Sequence, residues 1–550
     1  MNFIKTLIFI TFNFFVFINN KIINEDDFSL KAIFHSDSNN KRISIINISS
    51  EKIKRLIINN QEIEPCTEYI FPSIGKYVVY ILLDINKMTS LEKLFFNIKN
   101  LEEVIFFNKF NTENITNYNR MFYGCSLLKN ANLTCLKTNS LSKMSRMFYG
   151  CESLTYIDFS NKNSTNLQNM EGAFYGCSSL TSVNFTNFNT KKVISMSNLF
   201  YNCKELKYFN MSNLDTSNLK TTRLMFYGCS SLEKIDLENI NTTNIRIMDE
   251  MFNLCYSLKF LNLSNFHFPN LQSMEFFCNS CSSLENVDLN NVTAPKLTKI
   301  DEIFRNCKSL KSLDFSRFNV DILKSMFGSF QGCSSLIYIN LSYFNAYYVE
   351  RMDFLFEDCT KLQKVDLSGI KTKFMKNAFR MFKGCSSLTS IDLKHFNTEF
   401  WWDIQYMFQN CTSLISIDLS NLNVENVVIM NGIFKGCTSL KEVNLYNWNA
   451  KKNLYLNDIF SDCISLSKVN LTNFNTVNVI SMDRTFMNCK SIQKLNLSNF
   501  NTSRLKFLTE TFKGCESITS IDMPNLNFSR LKGVSEIFNG CKNLKHNFLN

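Results

Sequence analysis

Proline and glycine are scarce, at 5 and 15 in 550 residues. That excludes collagen-like, Pro-rich and Gly-rich low-complexity architectures. Histidine is rarer, at four (His35, His267, His395, His546), and none pairs with a Cys or carboxylate in a motif. No phosphate-cradling glycine loop, nucleophile elbow or metal-ligand cluster is written in the chain. We therefore expect no enzyme, no cofactor and no small-molecule substrate. The net charge is +11, but no Arg/Lys run marks a nucleic-acid partner.

What the chain has in excess is regularity. Seventeen cysteines stand 26 residues apart without a slip: Cys125, Cys151, Cys177, Cys203, Cys229, Cys255, Cys281, Cys307, Cys333, Cys359, Cys385, Cys411, Cys437, Cys463, Cys489, Cys515 and Cys541. A strict period of this size marks a solenoid, in which each repeat is one rung stacked on the last. From each Cys the template reads C-x-x-L-x-x-[IVL]-[DN]-L-x-x-F-N-x-x-x-[LV]-x-x-M-x-x-M-F-x-G. Around Cys177 the columns of Leu180, Val183 and Phe185 point inward and Asn184 outward, as on a strand. Met170, Ala173, Phe174 and Cys177 fall at i, i+3, i+4 and i+7, which predicts a short helix on the back of the rung. The residue before each Cys is Gly, Asn or Asp in fifteen of seventeen rungs, and reads as a left-handed helix C-cap. The fold class expected is an α/β solenoid, with a parallel β-sheet on one face and short helices on the other.

Three segments follow. Residues 1–20 carry one Lys (Lys5) before an apolar stretch, Leu7–Ile18, as a secretory signal does. An uncleaved signal anchor is the alternative and the only membrane contact implied. Residues 21–87 miss the template and form a small β-rich N-terminal cap. Residues 88–550 are the repeat, opening on a Cys-free rung at 88–107 read as helix then strand.

The text MFYGCSSLEKIDLENINTTNI (225–245) and its copies resemble the BspA-like leucine-rich-repeat surface proteins, in particular their 26-residue bacterial and protist variant. The resemblance covers about residues 88–550. It implies a right-handed leucine-rich-repeat superhelix at the cell surface or outside the cell. It implies attachment to a protein or glycan ligand.

The cysteines invite a disulfide ladder or a metal site. Seventeen is odd, however, and side chains in one column point parallel, which favours buried thiols. Cys278 replaces the column Phe, and Cys66 and Cys135 lie outside the column. The outward Asp/Asn column runs from Asn132 to Asp522, and one carboxylate per rung supplies too few oxygens for calcium. Its structural reading is a ladder of side chains bonded to their counterparts in adjacent rungs. Its functional reading is a partner-binding stripe that includes Asp288, Asp314, Asp366, Asp392 and Asp418. Tyr343, Tyr347, Tyr348, Phe400, Trp402 and Tyr446 lie off the core columns around an inward Trp401, and are the candidate recognition aromatics. Asn47, Asn114, Asn241, Asn291 and Asn527 open N-x-S/T acceptors for glycans. The reading they support is a secreted or surface-displayed adhesion protein. Its alternative is a matrix component that stacks through its ends.

Overall fold

The computed structural model describes residues 15–18, 21–524, 526 and 528–544. Of the leader read over 1–20, only Phe15–Ile18 falls within these residues. It is a strand, β1, paired antiparallel with β2 (Lys21–Asn24). The chain forms two compact units, Met1–Ser257 and Leu258–Asn550.

In the first unit the cap contributes β3 (Leu30–Ser36), β4 (Lys41–Ser44), β5 (Ile53–Ile58), β6 (Gln61–Ile63), β7 (Glu68–Phe71) and β8 (Gly75–Leu83). β4 and β7 pair with each other. β3 is buried at every second residue, the mark of a sheet with one face on a core. It pairs antiparallel with β8 on one side. On the other it pairs antiparallel with β9 (Leu101–Phe106), the strand of the first rung. β9 in turn lies parallel to β10 (Asn130–Asn132). The cap therefore covers the edge of the first rung with a strand of its own.

Later rungs repeat one three-residue strand in fixed register. Tyr156, Ile157 and Asp158 face Ser182, Val183 and Asn184 in the first unit. Ser312, Leu313 and Asp314 face Tyr338, Ile339 and Asn340 in the second. Each unit is thus a β-solenoid whose step is the 26-residue period. The interior is built from ladders. Phe95, Phe122, Phe148, Phe174, Phe200, Phe226 and Phe252 stack at 5.0–5.6 Å between centroids. In the second unit the same column runs from Phe304 to Phe538.

The helical back is corrected. Among the described residues there is no α-helix, only four three-residue 3-10 turns outside the repeat backs. The back of each rung is instead a run of three overlapping turns. In the rung ending at Cys125, the amides of Met121, Tyr123 and Cys125 close turns onto the carbonyls three residues earlier. The amides of Tyr118, Arg120, Phe122 and Gly124 leave the rung and bond Lys143, Ser145, Met147 and Tyr149 at 2.6–3.0 Å. Every fourth residue turns left-handed, here Arg120 at φ 53° and Gly124 at φ 73°. A helix needs unbroken right-handed backbone and bonds to residue i−4, so this pattern forbids one. The spacing i, i+3, i+4, i+7 misleads because it also describes two interleaved steps of four, Met170 to Phe174 and Ala173 to Cys177. The left-handed position before each Cys is real and holds even at Leu254 and Ser280. It caps a turn and not a helix. The opening rung departs in the same way: turns precede β9 where a helix was expected.

The column thiols form no disulfide. Cys151 Sγ donates to Phe122 O at 3.1 Å, and that carbonyl also accepts the Cys125 amide at 3.2 Å. The same thiol-to-carbonyl bond recurs in the second unit, as from Cys333 to Phe304. Burial pushes the Cys151 and Cys359 thiols well up, and Cys333 to about 12. Thiolate is the reactive form, so the buried column thiols, Cys125 to Cys515, are inert while folded. We expect a maleimide at neutral pH to label the native protein at Cys66, Cys135 and Cys541, the three half-buried cysteines. Rapid labelling at any other position, read by peptide mass mapping, contradicts this packing.

Candidate recognition surface

The outward Asp/Asn column closes its own turns. Asp288, Asp314, Asp366, Asp392 and Asp418 each accept, through Oδ1, the amide two residues on, at 2.8–3.0 Å. These are Asx-turns, which end each strand locally. The expected ladder between adjacent rungs is therefore corrected: it is seen at Asn470 Nδ2 to Asn444 Oδ1, 2.9 Å, while the amide two residues on is the usual partner. Hydroxyl and amide of Ser368 hold Asp366 below its ordinary value, the ammonium and amide of Lys394 do so at Asp392, and the amide and hydroxyl of Ser420 at Asp418. Each keeps one carboxylate oxygen clear of that turn bond.

In the second unit the structure gathers three rings into one cluster. Tyr348 stacks on Phe374 at 5.8 Å and 7°. Tyr347 meets both edge-on, at 5.0 Å from Tyr348 and 5.9 Å from Phe374. The Lys373 ammonium lies 5.6 Å from the centroids of both Tyr347 and Phe374. Tyr348 is 44% exposed and Phe374 36%. Phe374 was missed by sequence reasoning, although it stands 26 residues after Tyr348 and 26 before Phe400, in one column. Trp402 is exposed two positions beyond that column, and Tyr446 is exposed on the turn after its own strand. Tyr343, at 82%, is the most exposed of the large hydrophobic side chains among the described residues. A Cβ on Gly369 would fall 1.6 Å from the carbonyl oxygen of Ser342, so glycine alone permits the close passage of chain behind Tyr343. Trp401 is fully buried, edge-on to Phe396, as read.

The first unit carries a second aromatic array that the sequence reading passed over. Phe96, Tyr123, Tyr149, Tyr175, Tyr201 and Tyr227 stack along the turn side at 4.3–5.0 Å, within 21° of parallel. The signal was present: Tyr precedes Gly-Cys or Asn-Cys in five consecutive rungs. Of the glycan acceptors, Asn47, Asn114, Asn241 and Asn291 are exposed, and Asn527 lies outside the described residues.

Residues 81–183, 168–292, 274–391, 298–416, 380–469 and 454–550 match the family described as "Mycoplasma protein of unknown function, DUF285". The chain belongs to the DUF285 family. Solved structures similar to this DUF285 chain include a leucine-rich repeat protein from Bacteroides ovatus, at 20% identity and TM-score 0.37, over 74% of this chain and 81% of that one. A leucine rich cell surface protein from Faecalibacterium prausnitzii aligns at 16% identity and TM-score 0.31, over 64% and 81%. A leucine-rich repeat protein from Eubacterium ventriosum aligns at 16% and 0.32, over 72% and 86%. No curated protein matches the chain. No helix among the described residues is long and apolar enough to cross a membrane.

Proposed function

We propose that this DUF285 chain is a recognition protein acting at the cell surface or outside the cell, and that it holds a protein or glycan partner without catalysis. The observation that carries the reading is the exposed cluster of Tyr347, Tyr348 and Phe374 with Lys373 over its rings. Aromatic rings and a cation presented on a rigid scaffold are the groups that dominate binding energy at interfaces. The chain beside them is tied rung to rung, the Glu350 amide to Lys324 O at 2.8 Å and the Lys376 amide to Glu350 O at 2.9 Å. The apolar stretch Leu7–Ile18 supports export. The test is saturable binding of the purified protein to cells or to an arrayed glycan and protein panel. Replacing Tyr348 and Phe374 together by serine is expected to weaken binding at least about tenfold, with an unchanged melting temperature, since a hot-spot residue typically contributes more than about 1.4 kcal/mol. Equal binding by the variant and the parent removes this site.

A further inference from the structure

The tyrosine stack of the first unit is not something the fold demands. Two residues before the column Cys stand Tyr123, Tyr149, Tyr175, Tyr201 and Tyr227. In the second unit the same position carries Arg305, Gln331, Glu357, Lys383, Gln409 and Lys435. The turn closes either way: the Tyr149 amide bonds Arg146 O at 3.3 Å, and the Lys383 amide bonds Arg380 O at 3.1 Å. Five consecutive tyrosines on the turn side therefore call for another reason.

Stacking covers the ring faces along the row, and the Lys93 ammonium lies over Phe96, 5.5 Å from its centroid. A partner that docks on an open ring face, as a cation does, finds none between the ends. The row presents ring edges and hydroxyls instead. The rings are half-buried, and the hydroxyls of Tyr149, Tyr175 and Tyr201 lie at the surface. A phenol both donates and accepts, so such a row is complementary to another row like itself.

Spacing narrows the partner further. The rings repeat every 4.3–5.0 Å. An extended chain lying along them advances about 3.3 Å per residue, or about 6.6 Å per same-face pair, and falls out of step within two rungs. A stack of parallel strands repeats at about 4.8 Å and stays in step. This chain is itself such a stack.

Charge fixes the direction. The columns five and six residues before the Cys flank the row, and a recess shared by Tyr149, Tyr175, Arg146, Glu171 and Gly172 joins them to it. At one end Glu92, Lys93 and Arg120 leave one positive charge. At the other Arg223, Asp249 and Glu250 leave one negative charge. Between them Arg146 and Glu171 cancel, 3.5 Å apart, and Gly172 brings no side chain to the centre.

We propose that a second copy of this chain docks on the tyrosine row, antiparallel, with the two-fold axis crossing it at Tyr175. That pairing lays Tyr123 against Tyr227, Tyr149 against Tyr201 and Tyr175 against itself, and it sets Lys93 opposite Glu250. A two-fold contact uses the same patch on both copies and closes on itself. A strip this short makes a small interface, so the dimer is weak and depends on concentration. The row and the Tyr348 cluster lie in different units, so either reading can fail alone.

Sedimentation equilibrium of the full chain over a range of concentrations is expected to show monomer and dimer in exchange. Tyr175→Lys sets two ammonium groups on the axis and is expected to weaken the dimer at least about a hundredfold, whereas Tyr175→Phe keeps the stacking and the dimer. In a Cys66→Ser, Cys135→Ser, Cys541→Ser background, Tyr123→Cys is expected to form a disulfide with Tyr227→Cys when the two variants are mixed, and not with itself. A mass that stays monomeric at every concentration overturns the proposal. So does a dimer that Tyr175→Lys leaves intact, or a Tyr123→Cys variant that links to itself as readily as to Tyr227→Cys.

Discussion

Above about pH 9 each rung whose buried thiol is held protonated is expected to lose roughly 1.4 kcal/mol of stability for every further pH unit. The cause is the cysteine column. Burial raises the folded thiols well above their ordinary value, as at Cys151, Cys359 and Cys463, and to about 12 at Cys437. An unfolded thiol titrates near 8.5–9. Below that, both states hold their protons and the column is neutral in the balance. Above it the unfolded chain releases protons while the folded chain keeps them. The folded state then binds more protons, so stability falls with rising pH until the folded value is reached. Raised thiols in successive rungs, as at Cys359, Cys385 and Cys411, make the loss accumulate along a unit. Urea unfolding at pH 8, 9 and 10, followed by circular dichroism, reads the slope. Cys333→Ala should flatten it by one thiol's share, which separates thiols from tyrosine and lysine titration. A stability that stays level from pH 8 to pH 10 rejects the buried, protonated column.

Truncating a ring of the phenylalanine column is expected to cost about 3–5 kcal/mol. Phe174 is the sharpest choice. It is fully buried and lies 5.6 Å from Phe148, 5.4 Å from Phe200, and edge-on to Phe159 and Phe185 at 6.2 and 6.3 Å. Phe174→Ala removes ring contacts above, below and across the core together. In a repeat protein the loss falls on the mutated rung and its neighbours, so a broadened or two-step unfolding curve is expected. Phe374→Ala, on the exposed surface, is the matched control and should change stability by less than about 1 kcal/mol. Equal effects at the two positions contradict the assignment of inside and outside.

The two columns show how far the sequence could be read. Cysteine and phenylalanine recur at one spacing, and a one-residue slip would expose them, so their burial was legible. The strand was legible because Leu, Val and Asp alternate there with period two. The back was not legible as turns. Apolar periodicity reports which side chains face inward, and tandem four-residue turns and a helix bury the same set. The deciding signal is backbone chirality, and half of it is carried by residues such as Leu224, Phe354 and Arg380, which give no hint of left-handed φ. The role of the Asp/Asn column was missed because an Asx-turn and an inter-rung ladder ask for the same residue types. Phe374 and the tyrosine run from Tyr123 to Tyr227 were legible in principle. Each is a departure that appears only when its own column is read down the chain.

The back turns also bear on how such a gene changes length. Within each unit the back-turn amides that leave a rung land on the same carbonyl position of the following one, as Phe122 does on Met147 O and Phe330 on Leu355 O. Excising or duplicating one whole period in frame leaves each donor with an equivalent acceptor, because the new neighbour offers the same geometry as the old. Recombination that keeps this register therefore yields folded products with more or fewer rungs, without redesigning any joint.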